Sequence, residues 1–305
     1  MVYIETRDVP SLRLRNAARY RLTKRLGLVS LARLIGHRAW LPEGLRGRIA
    51  RLTCTADYFP SQLFEVDFFG LKYPGDLSNF LDWHVYFFGA YEMDILLLLR
   101  SLIRQRSGGV FVDVGANVGQ HALFMSKYAS HIHAFEPWSK VRQAIDEKIT
   151  RNRLTNVTVH PVALGEEHQF VPFYAPQGGN WGTGSFDEKH ATDRNRLWGN
   201  LEIVRGDQYF EAHGISAVSL IKIDVEGWEK NVLLGLRHTL ERFRPVIVME
   251  VSRNTLRSLS GLEGFRRCIP EFYEALYVHS TRTGATRMVP FDARRPGDVL
   301  LRPAS

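Results

Sequence analysis

The stretch Gly108–Phe124 reads GGVFVDVGANVGQHALF, an apolar run that ends in a carboxylate and then in small residues. Asp113, Gly115, Asn117 and Gly119 all fall at this one break between two apolar segments. The pattern predicts a strand that enters a helix through a glycine-permitted turn. Close backbone approach to a ligand becomes possible there, and free N–H groups at Asn117 and Val118, opening the helix, could meet polar ligand atoms. Glycines also make ordinary turns, so the neighbouring segments decide. Periodicity predicts strands at 110–114, 131–135, 157–163, 219–224 and 245–251, and helices near 117–129, 139–152, 228–241 and 255–268. Two late segments, EALYV (274–278) and DVLLRP (298–303), add strands. Such alternation implies a mostly parallel sheet covered on both faces, and a hairpin-joined final pair would insert an antiparallel strand.

A chain of 305 residues has room for one large α/β domain with an extension. The reading is a basic helical segment over 1–51, a β-hairpin and helix over 52–90, and a core over 91–305 with a long aromatic, glycine-rich insertion at 165–218. Residues 1–51 hold twelve Lys and Arg against Glu5, Asp8 and Glu43. That net of +9 exceeds the whole-chain +8, so the remainder is close to neutral and a general nucleic-acid-binding body is not expected. After Pro10, Leu14, Ala18, Leu22 and Leu26 recur every four residues with Arg and Lys between them, and a second such helix is predicted near Leu31–Arg38. One reading packs these helices on the core with a solvated basic face. The other docks the basic residues 11–38 on an anionic membrane surface or an acidic partner. The start lacks a signal peptide's basic flank and apolar centre, and Ile95–Leu99 is too short to span a bilayer. Cys54 and Cys268 lie far apart and suggest no disulfide framework. A cytoplasmic protein is expected, with oligomerisation left open.

Ligands of open α/β sheets bind beyond the carboxyl ends of the strands. Asp113 ends the first strand, and Asn117 stands where a dinucleotide fingerprint has its second glycine. A negative charge inside that turn repels a pyrophosphate and suits the cationic amino group of S-adenosylmethionine. Glu136 ends the second strand, seventeen residues after Gly119, placed to accept both hydroxyls of a ribose. The fourth strand ends in LIKIDVEGWE (220–229), which sets Asp224 and Glu226 at its mouth. Two carboxylates closing an apolar strand imply a ligand, a cation or solvent, and neighbouring carboxylates raise each other's pKa.

The segments FVDVGANVGQHALF, AFEP, NRLTNVTVHPVALGE, IKIDVEGWEKNVLLG and RPVIVMEVS resemble the FkbM-type family of S-adenosylmethionine-dependent methyltransferases, in order, from about Tyr86 to Ser252. The resemblance implies a class I methyltransferase (Rossmann-like) fold: a seven-stranded, mostly parallel sheet with its last strand antiparallel. It implies transfer of a methyl group to a hydroxyl on a sugar, glycan or natural product. By the same resemblance Asp113, Gly115, Asn117 and Gly119 line the methionyl part of the cofactor. Glu136 with Pro137 holds the ribose, and Val162 and Ala163 lie near the adenine. Glu92 approaches the cofactor, and Asn180, Trp181, Gly182 and Ser185 belong to a loop over the site. Asp224 and Glu226 face the reaction centre as candidate bases, with His121 and Glu250 behind them. His121 replaces a common aromatic, and the RGDQYF segment around Asp207 departs from the family form. No ligand spacing calls for a metal. The rival readings are an NAD-dependent oxidoreductase and a non-catalytic cofactor-binding scaffold.

Overall fold

The computed structural model describes residues 9–38, 40–56, 59–186, 195–280 and 286–304. The start read above for a leader lies partly outside that range, as does 187–194 within the expected insertion. The chain divides into two compact units. One runs to Met93 and includes Pro176–Trp181, and the other comprises Asp94–Ala175 with Gly182–Ser305.

In the first unit α1 (Val9–Arg25), α2 (Leu28–Gly36) and α3 (Glu43–Thr53) pack on one another, with Gly27 at φ 71° turning the chain between the first two. Buried Ala32, Gly36, Gly47 and Ala50 let the backbones approach. The helix expected after Pro10 is present, yet its row Leu14, Leu22, Leu26 faces solvent. Tyr20, on the opposite side, takes the buried position and meets the Phe59 ring edge-on at 5.4 Å. The strands β1 (Leu63–Phe68) and β2 (Leu71–Asp76) form an antiparallel hairpin. Its two-residue loop, Phe69–Gly70, has both φ values positive, the backbone twist that suits a right-twisted hairpin. Asn79 caps α4 (Phe80–Phe88) by accepting from the Asp82 amide, and the buried Asp82 carboxylate accepts from Tyr73 Oη at 2.7 Å and the Asp76 amide at 2.9 Å.

The second unit opens with α5 (Met93–Gln105), which buries Ile95, Leu98 and Leu99 as its apolar spacing predicts. There follow β3 (Val110–Val114), α6 (Gln120–Met125), β4 (His131–Phe135), α7 (Ser139–Asn152), β5 (Val157–His160), β6 (Ala163–Gly165), β7 (Gln169–Pro176), β8 (Asn195–Arg205) and α8 (Gly206–Ala212). The chain continues through β9 (Val218–Ile223), α9 (Glu229–Gly235), α10 (Arg237–Phe243), β10 (Val246–Val251), α11 (Arg253–Leu259) and α12 (Gly261–Cys268). It ends in β11 (Tyr273–Ser280), β12 (Thr286–Pro290) and β13 (Gly297–Pro303). Eight strands form one sheet in the order β12-β11-β13-β10-β9-β3-β4-β5. The run from β10 to β5 is parallel, and β13 lies antiparallel between β10 and β11. The chain winds outward from β3 through β4 to β5, then returns to β9, so the switch point lies between β3 and β9.

The antiparallel last strand agrees with expectation, but the described residues place eight strands in this sheet rather than the expected seven. The extra strand, β12, is an edge strand whose sequence TRMVP is largely solvent-facing and has no apolar alternation to betray it. Within the expected insertion, β7 and β8 join β6 in a separate three-stranded sheet. The predicted strand 157–163 divides at Pro161, since β5 pairs with β4 while β6 pairs with β8. The predicted helix 255–268 breaks where Ser260 and Gly261 both adopt left-handed φ.

Three histidines lie together on β4 and β5. His133 Nδ1 and His160 Nε2 share a 3.0 Å hydrogen bond, and His160 Nδ1 meets Tyr209 Oη at 3.2 Å. Burial first, and the neighbouring imidazoles second, lower both His133 and His160 to about 4. The unfolded chain therefore protonates before the folded one as the pH falls. Stability is intact above the ordinary value of 6.5 and is lost progressively down to about 4. We expect the unfolding temperature of the parent to fall relative to that of His133→Gln as the pH drops through this window. An identical slope in that variant would acquit the pair.

Candidate functional site

Asp113 occupies the central strand at the switch point, in register with Ala134 of β4 on one side and Lys222 of β9 on the other. Its side chain is fully buried, and neither carboxylate oxygen has a hydrogen-bond partner of normal geometry. Burial raises its pKa to about 6. Lys222 opposes that shift, Asp224 adds to it, and the Ala122 amide leans in to lower it. Gly115 follows at φ 82°, and a Cβ there would sit 2.0 Å from the Asp224 carbonyl oxygen. Only glycine lets the β3 and β9 exits cross so closely. The Gly115 and Ala116 amides both donate to the Phe135 carbonyl. Asn117 is left-handed at φ 51°, a conformation its short polar side chain tolerates, and its buried Oδ1 has no partner.

The Asn117 amide is not free, contrary to expectation, and the helix α6 starts three residues later. The amide donates to Glu136 Oε2 at 3.0 Å, while the Trp138 amide donates to Oε1 at 2.9 Å. Glu136 thus closes the turn after β3 onto the turn after β4. Burial raises it to about 7, against the pull of those two amides and of Arg142. Each of its oxygens keeps a lone pair for a further donor. Val162 and Ala163 are buried between β5 and β6, and Pro137 is half-buried beside Glu136.

At the mouth of β9, Lys222 Nζ contacts Asp224 Oδ2 at 2.9 Å, and the Asp224 amide donates to the Val114 carbonyl. Burial alone would raise Asp224, in the direction expected of two neighbouring carboxylates. The Lys222 ammonium overrides burial and holds it below the usual carboxylate range. Glu226 is solvent-facing on a left-handed bend. The side chain that shapes this bend is Glu229, which accepts from the Val225 and Gly227 amides and from Thr255 Oγ1 at 2.7 Å. His121 is buried in the first turn of α6, and burial with the nearby Lys222 charge keeps its imidazole neutral, far below its ordinary pKa. Asp298 of β13 also faces Lys222. Burial raises its pKa to about 6, with Asp94 and Asp224 adding and Lys222 opposing. Lys222 is therefore a buried cation among Asp113, Asp224 and Asp298, and sequence reasoning passed over it. A lysine inside the apolar run LIKI was the available signal, because burying an ammonium requires acids around it.

Trp138, Phe173, Phe186 and Trp228 follow one another with ring centroids 5.5–5.6 Å apart, and Trp198 meets Trp138 at 5.7 Å. The buried indole N–H groups of Trp138 and Trp228 have no partner. Tyr209 stacks on His213 at 3.8 Å. Asp207 caps α10 through the His238 and Thr239 amides. Of the expected loop, Ser185 exchanges both backbone hydrogen bonds with Tyr174 in this unit, whereas Asn180, Trp181 and Glu92 belong to the first unit. A groove of about 540 Å³ lies elsewhere, between α5 and the outer strands by Leu98, Met288 and Arg302, with no carboxylate in its lining. Among the described residues no group of three or more His, Cys, Asp or Glu is arranged to hold a metal ion, and no helix is long and apolar enough to cross a membrane.

Residues 113–277 match the family model of the methyltransferase FkbM domain. The chain is 30% identical over 162 residues to the hexuronic acid methyltransferase AglP of Haloferax volcanii, a match covering 52% of this chain and 61% of that protein. It is 29% identical over 142 residues to methyltransferase 1 of Beauveria bassiana, covering 41% of this chain and 57% of the relative. The chain thus spans about three-fifths of the length of these curated relatives. A solved structure of a methyltransferase FkbM from Methylobacillus flagellatus aligns with a TM-score of 0.42 at 20% identity, covering 63% of this chain and 42% of that one.

Proposed function

Because the chain belongs to the methyltransferase FkbM family, whose cofactor is S-adenosylmethionine, we propose that it transfers a methyl group to a hydroxyl of a sugar, glycan or other natural product. The observation that carries this reading is Asp113: a buried carboxylate with two unpartnered oxygens, beside a bend that only glycine can make. Such a group calls for a cationic ligand, and the unpartnered Oδ1 of Asn117 calls for a donor. The residues therefore fit the cofactor. Asp113 and Asn117 would hold its amino-acid end, Glu136 its ribose hydroxyls, and Val162 and Ala163 would give the base an apolar wall. A dinucleotide fits less well, since Asp113 repels a pyrophosphate.

When bound, S-adenosylmethionine supplies a methyl group already activated by its sulfonium. The chain must position the acceptor and remove its proton. Positioning can contribute on the order of 7–11 kcal/mol, and a placed base roughly 10²–10⁴-fold. Asp224 is the assigned base. Lys222 keeps it ionised at neutral pH, the form that can accept the hydroxyl proton as the new bond forms. Glu226 on the outer bend and neutral His121 are the remaining candidates for passing that proton on. The indole N–H groups of Trp138 and Trp228, set in an aromatic row, suit a sugar, which presents apolar ring faces and hydroxyl acceptors. The Haloferax relative is a hexuronic acid methyltransferase, and a sugar acid would suit this aromatic row in the same way.

The reading is tested by following labelled methyl from S-adenosylmethionine onto a panel of glycosides and uronic acids, with NAD titrated in parallel. Binding of NAD but not of S-adenosylmethionine would overturn it. Glu136→Ala should weaken cofactor binding about 10²-fold by calorimetry, from the loss of charge-assisted hydrogen bonds worth about 1.5–3 kcal/mol each. Burial pushes Glu136 up to about 7 and Asp113 up to about 6, and on this reading the cofactor would bind their ionised forms. Affinity should therefore fall as the pH drops from 7 to 5, with proton release on binding. Glu136→Gln should flatten the upper part of that dependence.

A further inference from the structure

The first three helices turn leucines outward among arginines. On α1, Leu14 and Leu22 are 69% and 59% exposed, on the side away from buried Tyr20, and Leu26 in the turn just after it is 64% exposed. On α2, Leu28, Leu31 and Leu34 are exposed opposite buried Val29, Ala32 and Gly36. Trp40, in the turn before α3, is 79% exposed. The same surface of α1 carries Arg15, Arg19, Arg21 and Arg25, all solvent-facing, and the only acid from residue 9 to 53 is Glu43. Monomeric proteins seldom leave this much large apolar surface in one short segment without a partner.

We propose that α1–α3 dock the protein peripherally on an anionic bilayer surface. The chemistry selects that occupant. Leucines interleaved with arginines suit the boundary between acyl chains and phosphates, where the arginine stems join the leucines and the guanidinium groups stay at headgroup level. Tryptophan favours the same depth. A second copy of this chain would bring an equal positive charge to the contact and be repelled. A nucleic acid would match the charge but leave the leucines and Trp40 without a role. The docking does not depend on the reaction assigned to the strand ends, and it would hold an acceptor borne on a lipid close to the enzyme.

The experiment is flotation of the full chain with vesicles of phosphatidylcholine alone or with phosphatidylglycerol added. The chain should float with the anionic vesicles only. Each basic residue removed should weaken partitioning about five-fold, so Arg15→Gln with Arg21→Gln should weaken it about 25-fold. Leu31→Ser with Leu34→Ser should also release the chain. These side chains are exposed, so unfolding temperature and cofactor binding should be unchanged in both variants. Bromine-labelled acyl chains should quench tryptophan emission in the parent and much less in Trp40→Ala. Absence of flotation, equal flotation on neutral vesicles, or indifference to the arginine changes would overturn the proposal. So would a dimer in sedimentation that Leu34→Ser dissolves, since that face would then belong to a second copy.

Discussion

Asp224→Asn is expected to lower kcat by about 10²–10⁴-fold while leaving cofactor affinity within a few-fold. The amide keeps the side chain's shape but cannot take the acceptor's proton. It also removes the nearest counter-charge from buried Lys222, although Asp113 and Asp298 still face that ammonium. Breaking a buried pair costs about 3–5 kcal/mol in full burial. The Asp224 side chain is 27% exposed, so a smaller loss of stability should accompany the loss of turnover. Lys222→Met separates the two roles. Without the ammonium, Asp224 loses what holds its pKa down, and the acid limb of the pH–rate profile should move to higher pH. Normal turnover in Asp224→Asn, or a fixed acid limb in Lys222→Met, would remove Asp224 from the chemistry.

Asp113→Asn should destroy cofactor binding without harming the fold. A buried carboxylate without hydrogen-bond partners is a liability in the ligand-free protein. Its folded pKa of about 6 lies above the ordinary 3.8, so the folded state binds the proton more tightly than the unfolded chain does. Stability from this group is full below 3.8 and is lost as the pH rises through about 6, a cost near neutrality of up to about 3 kcal/mol. The asparagine variant carries no such charge and should unfold at an equal or higher temperature at pH 7. Its cofactor dissociation constant should rise by about 30-fold or more, since truncating one member of a buried charge pair costs about 2–5 kcal/mol. Reduced stability with unaltered binding would assign Asp113 a structural role instead.

The strand-end carboxylates were legible because each one closes an apolar run, an event that stands out in a single segment. Asp113, Glu136 and Asp224 needed only the rule that ligands bind at the carboxyl ends of parallel strands. What escaped notice depends on partners distant in the chain. Lys222 was passed over because its meaning lies in the β3–β9 register and in Asp298, seventy-six residues further on. Glu229 looked like an ordinary first-turn acid until the bend it braces was in view. The leucine row of α1 left packing and docking both open, and only the structure shows those leucines solvent-facing with Tyr20 buried on the other side.

The sequence by itself determined the kind of fold and the strand ends at which its acids fall, because periodicity and strand endings are local properties. Only the tertiary structure decided their charge states. Asp224 is held ionised, while Asp113 is pushed toward its proton until a cation arrives. The physical reason is that a pKa answers to burial and to charges a few ångströms away: Lys222 stands two residues from Asp224, but it meets Asp113 only through the β3–β9 pairing, across more than a hundred residues of chain.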